Sequence, residues 1–126
     1  MAEYTPVFAN GTAPWTLQAS AAITGGRLVA VSGAGTVAPA GAGATNVIGV
    51  SANDAASGAK VQVWPLAGLT HKVLGTGAIA AGDNLAAGAA GVVATVTFAA
   101  AGDPPKVVGV ADRAAADATL VRFVGR

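Results

Sequence analysis

The segment Val47-Ile48-Gly49-Val50-Ser51 recurs 60 residues later as Val107-Val108-Gly109-Val110-Ala111. In both copies branched apolar residues surround one glycine, and branched side chains favour strands over helices. The offset holds through the next apolar run, where Lys60-Val61-Gln62-Val63 aligns with Leu120-Val121-Arg122-Phe123. Alternation places the second and fourth residues of each run on the inward face of a strand. The glycine within each copy indicates a bulge or a close approach of another backbone.

The repeat extends upstream at a slightly different offset. Gly26 aligns with Gly82, and Gly35-Thr36-Val37-Ala38 aligns with Gly91-Val92-Val93-Ala94, both 56 residues apart. The difference of four residues falls in a longer second linker around Phe98–Pro105. We interpret the pattern as one β-unit used twice. The two copies span approximately residues 25–64 and 81–124.

The rest of the chain has strand patterns as well. Residues 15–23 alternate apolar and polar side chains after Pro14, and further short apolar runs are separated by Gly, Pro, Asn and Asp. Eighteen glycines disfavour long helices, so at most a short helical turn is expected around Arg113–Asp117. Many short strands with frequent turns predict an all-β fold, a small barrel or sandwich in one domain over residues 15–126.

The first 14 residues differ from this pattern. Residues 4–8 form a short extended apolar patch, and residues 9–14 have the composition of a linker. Pro6 and Pro14 disfavour both a helix and a central strand. We therefore expect an extended N-terminal arm, residues 1–14, outside the compact domain.

Composition excludes several classes of protein. Of the 53% hydrophobic residues many are alanine, 33 in all, so the core is lean. With no cysteine there is no disulfide scaffold, and with a single histidine we expect no metal site and no cofactor. Seven Lys and Arg against six Asp and Glu leave no basic surface for nucleic acid. No apolar run is long enough to span a membrane, and the N-terminus does not resemble a signal peptide, so synthesis in the host cytoplasm is expected.

No group of polar residues indicates catalysis, so we predict that the protein is not an enzyme. His71 is interpreted as a histidine on a sheet surface, because no nucleophile or carboxylate lies nearby in sequence. Asp83 is interpreted as a turn residue that accepts backbone N–H groups. The two large anchors Trp15 and Trp64 fit either core packing or a subunit interface, and Arg122, near the C-terminus, is a further interface candidate.

The ordered pattern over residues 20–126 resembles the head decoration, or capsid cement, proteins of tailed bacteriophages. The resemblance lies in Val47–Ser51, in Ser57-Gly58-Ala59-Lys60-Val61-Gln62-Val63, in Ile79-Ala80-Ala81-Gly82-Asp83 and in Gly109-Val110-Ala111. It implies a structural virion protein on the capsid exterior whose partners are the major capsid protein and, in a homotrimer, itself.

The resemblance also implies a role for the N-terminal arm, since an arm of this kind engages the capsid in some family members. The candidate capsid-binding residues here are Tyr4, Thr5, Pro6, Val7 and Phe8. The alternative function is a carbohydrate- or cell-surface-binding β-module, which predicts exposed aromatic rings beside Asp or Asn, with Trp15 and Trp64 as the candidates.

Overall fold

The computed structural model describes residues 4–96 and 106–126, which form ten strands in two sheets. The first sheet is a closed barrel in the order β1-β3-β2-β4-β5. Its strands are β1 Trp15–Ala19, β2 Leu28–Gly33, β3 Thr36–Pro39, β4 Val47–Ser51 and β5 Lys60–Pro65. The second sheet has the order β6-β10-β9-β7-β8. Its strands are β6 Thr70–Leu74, β7 Asn84–Ala87, β8 Val93–Thr95, β9 Gly109–Ala111 and β10 Leu120–Gly125. The all-β prediction is confirmed.

The two sheets have the same topology. Starting from β8, the second sheet has the order β8-β7-β9-β10-β6, which corresponds strand for strand to β3-β2-β4-β5-β1 of the first. The parallel pairing of β1 with β3 has its counterpart in a parallel bridge between Gly75 and Val93. The antiparallel bridge between Ile23 and Ala55 has its counterpart between Ile79 and Ala115. These pairs are separated by the 56- and 60-residue offsets of the sequence repeat.

The repeated glycines lie where a neighbouring strand comes close. A Cβ on Gly49 would lie 2.7 Å from Val63 Cγ1 and would collide with the carbonyl oxygen of Trp64. A Cβ on Gly109 would lie 2.5 Å from Phe123 Cδ2 and would collide with a backbone carbonyl of the same strand. Each β-unit therefore needs a glycine at this position to pair its last two strands.

The two units share one hydrophobic core. Its largest cluster of buried residues includes Leu28 and Val50 from the first unit and Leu85, Val121 and Phe123 from the second. A smaller cluster fills the first barrel. The predicted inward residues of β5 and β10 are buried in these clusters.

Some local predictions differ from the structure. Residues 113–117 form no helical turn, because Ala115 pairs with Ile79 instead. The 3₁₀ turn in the described residues is at Ala89–Gly91, and β7 was not among the predicted strands. The predicted second linker around Phe98–Pro105 lies almost wholly outside the described residues.

Candidate functional site

The N-terminal segment is extended, but it lies against the body of the protein. The N–H of Tyr4 donates to the carbonyl of Ala52, and the indole N–H of Trp64 donates to the carbonyl of Tyr4. Phe8 and Thr70 exchange backbone hydrogen bonds as an antiparallel bridge beside β6. The expectation that this segment lies outside the compact domain is therefore wrong for Tyr4 to Phe8, because β6 offers unpaired backbone groups at that edge.

Tyr4 and His71 form a buried polar pair. The Nε2 atom of His71 lies 2.8 Å from the carbonyl oxygen of Pro65, which can only accept, so Nε2–H is the donor. In the neutral ring, Nδ1 is then the acceptor, and the Tyr4 hydroxyl donates to it at 2.7 Å. The same hydroxyl accepts the N–H of Lys72 at 3.1 Å. The imidazole stacks on the Tyr4 ring and packs against Phe123.

The interpretation of His71 as a surface residue is wrong, because its side chain is fully buried. In the β6–β10 register His71 lies opposite Phe123, and Val73 lies opposite Val121, so all four point inward. The sequence contained a signal for this, because Leu69 and Val73, two residues away on either side, share the face of His71.

Burial changes the pKa of both partners. It lowers the pKa of the His71 imidazole, and the hydrogen bond to Pro65 opposes that change. It raises the pKa of the Tyr4 hydroxyl well above its usual range, and the hydrogen bond from Lys72 opposes that change. The folded protein therefore favours a neutral imidazole and a neutral phenol.

We expect the free energy of unfolding to fall as pH is lowered from 7.5 to 5.5. An unfolded histidine has a pKa of about 6.5. The pKa of His71 is lower in the folded state, so in this window the unfolded chain binds the extra proton and gains stability. Urea titrations at several pH values measure the slope, and His71→Gln should flatten it. An unchanged slope in that variant would contradict the assignment.

An exposed apolar face lies on the outer side of β6 and β10. Phe8, Leu120 and Val124 are 53%, 55% and 48% exposed. Arg122 projects from the middle of this face, where its guanidinium lies 5.4 Å from the centre of the Phe8 ring. Its Nε atom lies 2.8 Å from a carboxylate oxygen of Asp112. Three exposed apolar side chains around a held arginine are typical of a protein-binding surface.

The candidate capsid-binding residues divide between two environments. Pro6 is buried and Tyr4 is partly buried, whereas Thr5, Val7 and Phe8 are exposed. The backbone contacts to β6 alternate with these side chains. The structure thus brings Phe8 together with Arg122, and it uses Tyr4 to attach the segment to the body.

The two tryptophans lie in different settings. Trp15 is 49% exposed at the start of β1, so core packing does not describe it. Trp64 is partly buried and lines a groove of about 530 Å³ on the first unit, with Tyr4, Asn53 and Gln62. The amide of Asn53 is already used within the fold, accepting from Gln62 N–H and donating to the carbonyl of Asp54.

Other polar residues serve the fold. Asp83 accepts the N–H of Ala80 and the hydroxyl of Thr95, which confirms it as a turn residue. Within residues 4–96 and 106–126, no three His, Cys, Asp or Glu side chains are grouped to hold a metal ion. In the same part of the chain, none of the helices has the length and hydropathy needed to cross a bilayer.

Comparison with known families decides what this β-fold is. The family model described as phage cement protein matches residues 9–125. This chain belongs to the phage cement protein family. No curated protein matches the sequence. The cement protein is accordingly a structural component of a phage virion.

A solved structure supports this assignment of the cement protein. The N base of head fiber gp8.5 of bacteriophage phi29 is 25% identical, with a TM-score of 0.68. The similarity covers 90% of this chain and 93% of that one. Both the fold and its place among phage head proteins are therefore shared with a solved relative.

Proposed function

We propose that the protein binds the outer surface of the assembled phage capsid, contacts the major capsid protein and stabilises the shell. Membership of the cement family supports a role on the capsid. The observation that carries the proposal is the exposed face of β6 and β10, with Phe8, Leu120 and Val124 around Arg122. Such a face, held rigidly on a closed sheet, can bind a shell without rearrangement.

The energetics of this face favour repeated contacts. Full burial of a large apolar side chain contributes roughly 1.5–3 kcal/mol, and these three are already about half buried. One copy alone would therefore bind weakly. Three copies held together at a three-fold position would bind firmly, because the second and third contacts become intramolecular. A homotrimer on the capsid is part of the proposal, and Trp15, Trp64 and Arg122 remain its candidate interface residues.

We expect Leu120→Glu to abolish decoration of capsids. Leu120 is more than half exposed, so the change should leave the fold intact while placing a charge in the contact. The assay adds purified protein to expanded heads that lack it and counts bound copies by sedimentation and gel densitometry. Thermal rupture of the heads then reports stabilisation.

The matched control is Val31→Glu. Val31 is 44% exposed on β2 and belongs to the other sheet. It should decorate heads like the wild type. Equal binding by both variants would contradict the placement of the contact on β6 and β10, and failure of the wild type to bind would overturn the proposed function.

Binding of carbohydrate is the less favoured function. It requires an exposed aromatic ring beside free polar groups, but Asn53 and the indole N–H of Trp64 already bond within the protein. Glycan binding by the free protein, with none to heads, would favour it over the capsid role.

A further inference from the structure

The duplication makes it possible to compare the same strand edge in two states. β6 pairs with β10 through residues such as His71, so the N–H and C=O groups of Thr70 and Lys72 point to the opposite edge. There they meet the N-terminal segment. Phe8 exchanges backbone hydrogen bonds with Thr70, and the Tyr4 hydroxyl accepts the N–H of Lys72.

The equivalent edge of β1 has no such strand beside it. By the 56-residue offset Pro14 and Thr16 correspond to Thr70 and Lys72. The β1–β5 register gives Thr16 the same orientation as Lys72, so its N–H and C=O point away from β5. Among the described residues, β3 pairs with β1 only from Gln18 onward. Trp15, half exposed, flanks this open edge.

We propose that the open edge of β1, from Pro14 to Thr16, binds an extended segment of the shell protein by strand addition. The proposal rests on the proposed capsid role. Within this same molecule the equivalent edge already holds an extended peptide, so the geometry of the unit accepts one. Backbone groups of Pro14 and Thr16 would pair with the added strand, and an apolar side chain of that strand would cover the Trp15 ring.

The chain's own N-terminal segment fits this second edge poorly, which argues against a second copy as the occupant. Pro14 stands where Thr70 donates its N–H to Phe8, and proline has no N–H. Trp15 stands where His71 accepts the Tyr4 hydroxyl, and an indole offers no acceptor. The two contacts that hold the segment on β6 are therefore missing on β1.

The test compares Thr16→Pro with Thr16→Val in binding to assembled heads of the phage. Proline removes the N–H that points outward and none that pairs with β5, so the sheet should persist, as circular dichroism and Tm would show. Valine keeps the N–H and changes only the side chain. We expect T16P to bind heads roughly tenfold more weakly and T16V to bind like the wild type.

A second measurement keeps the test valid if T16P does not fold. The chain has no cysteine, so Thr16→Cys introduces a unique thiol. Heads should protect that thiol from a maleimide, while the thiol of Ala116→Cys, in an exposed loop, remains reactive as the control.

Three outcomes would overturn the proposal. Wild-type affinity in folded T16P, or unprotected labelling of T16C on heads, would overturn the strand addition alone, with the capsid role intact. Protection of T16C in free protein at high concentration would identify a second copy as the occupant. Failure of the wild type to bind heads would overturn both proposals.

Discussion

Replacing either repeated glycine by alanine should destabilise the protein by about 3 kcal/mol, the upper part of the range for overpacked cores. The added methyl of Gly49→Ala would collide with the Trp64 carbonyl, and that of Gly109→Ala would collide with a carbonyl and the Phe123 ring. Backbone atoms paired in a ladder cannot move aside as a flexible side chain can. We expect each variant to unfold roughly 10 °C below the wild type in calorimetry.

Gly41→Ala is the matched control for this prediction. A Cβ there would have no atom within 4 Å, and the residue does not have a positive φ. Its stability should stay within about 0.5 kcal/mol of the wild type. If G49A and G109A unfolded at the temperature of G41A, the close strand approach that defines both units would be incorrect.

Removing the Tyr4 side chain should have the next largest effect, about 2–4 kcal/mol. Tyr4→Ala deletes a partly buried ring, which costs as a large-to-small change does. It also leaves the Nδ1 atom of buried His71 and the N–H of Lys72 without their partner, and an unsatisfied buried group costs about 1–3 kcal/mol. Chemical denaturation of the purified variant measures the loss.

Two variants separate the contributions. Tyr4→Phe keeps the ring and loses only the hydroxyl, so its loss should be smaller than that of Y4A. Phe8→Ala truncates an exposed ring in the same segment and should change stability little. A loss in F8A as large as that in Y4A would show that general attachment of the segment, and not the Tyr4–His71 pair, stabilises the fold.

Much of the architecture could be predicted because the duplication repeats a local pattern. Alternation in Lys60-Val61-Gln62-Val63 sets which side chains face inward, and the same alternation recurs at β10. β7 was missed because Asn84-Leu85-Ala86-Ala87 has no branched residue and its alanines favour helix by propensity. Its strand conformation depends on pairing with β8 and β9, which lie elsewhere in the sequence.

The candidate site was less predictable. Residues 4–8 attracted notice for their apolar side chains, but the partner that attaches Tyr4 is 67 residues away. Trp15 and His71 occupy equivalent positions in the two units, and one is half exposed while the other is fully buried. Only packing distinguishes them, because the N-terminal segment covers the edge beside His71 and leaves the edge beside Trp15 open.

The sequence by itself determined the strand content, the repeat and the inward face of its paired strands, because alternation and glycine placement are local properties of the chain. The tertiary structure alone decided which surface is available. The apolar face of β6 and β10 joins Phe8 to Leu120 and Val124, residues more than 110 positions apart. Burial depends on what packs over a residue, and contacts between distant segments are fixed only when both sheets have formed.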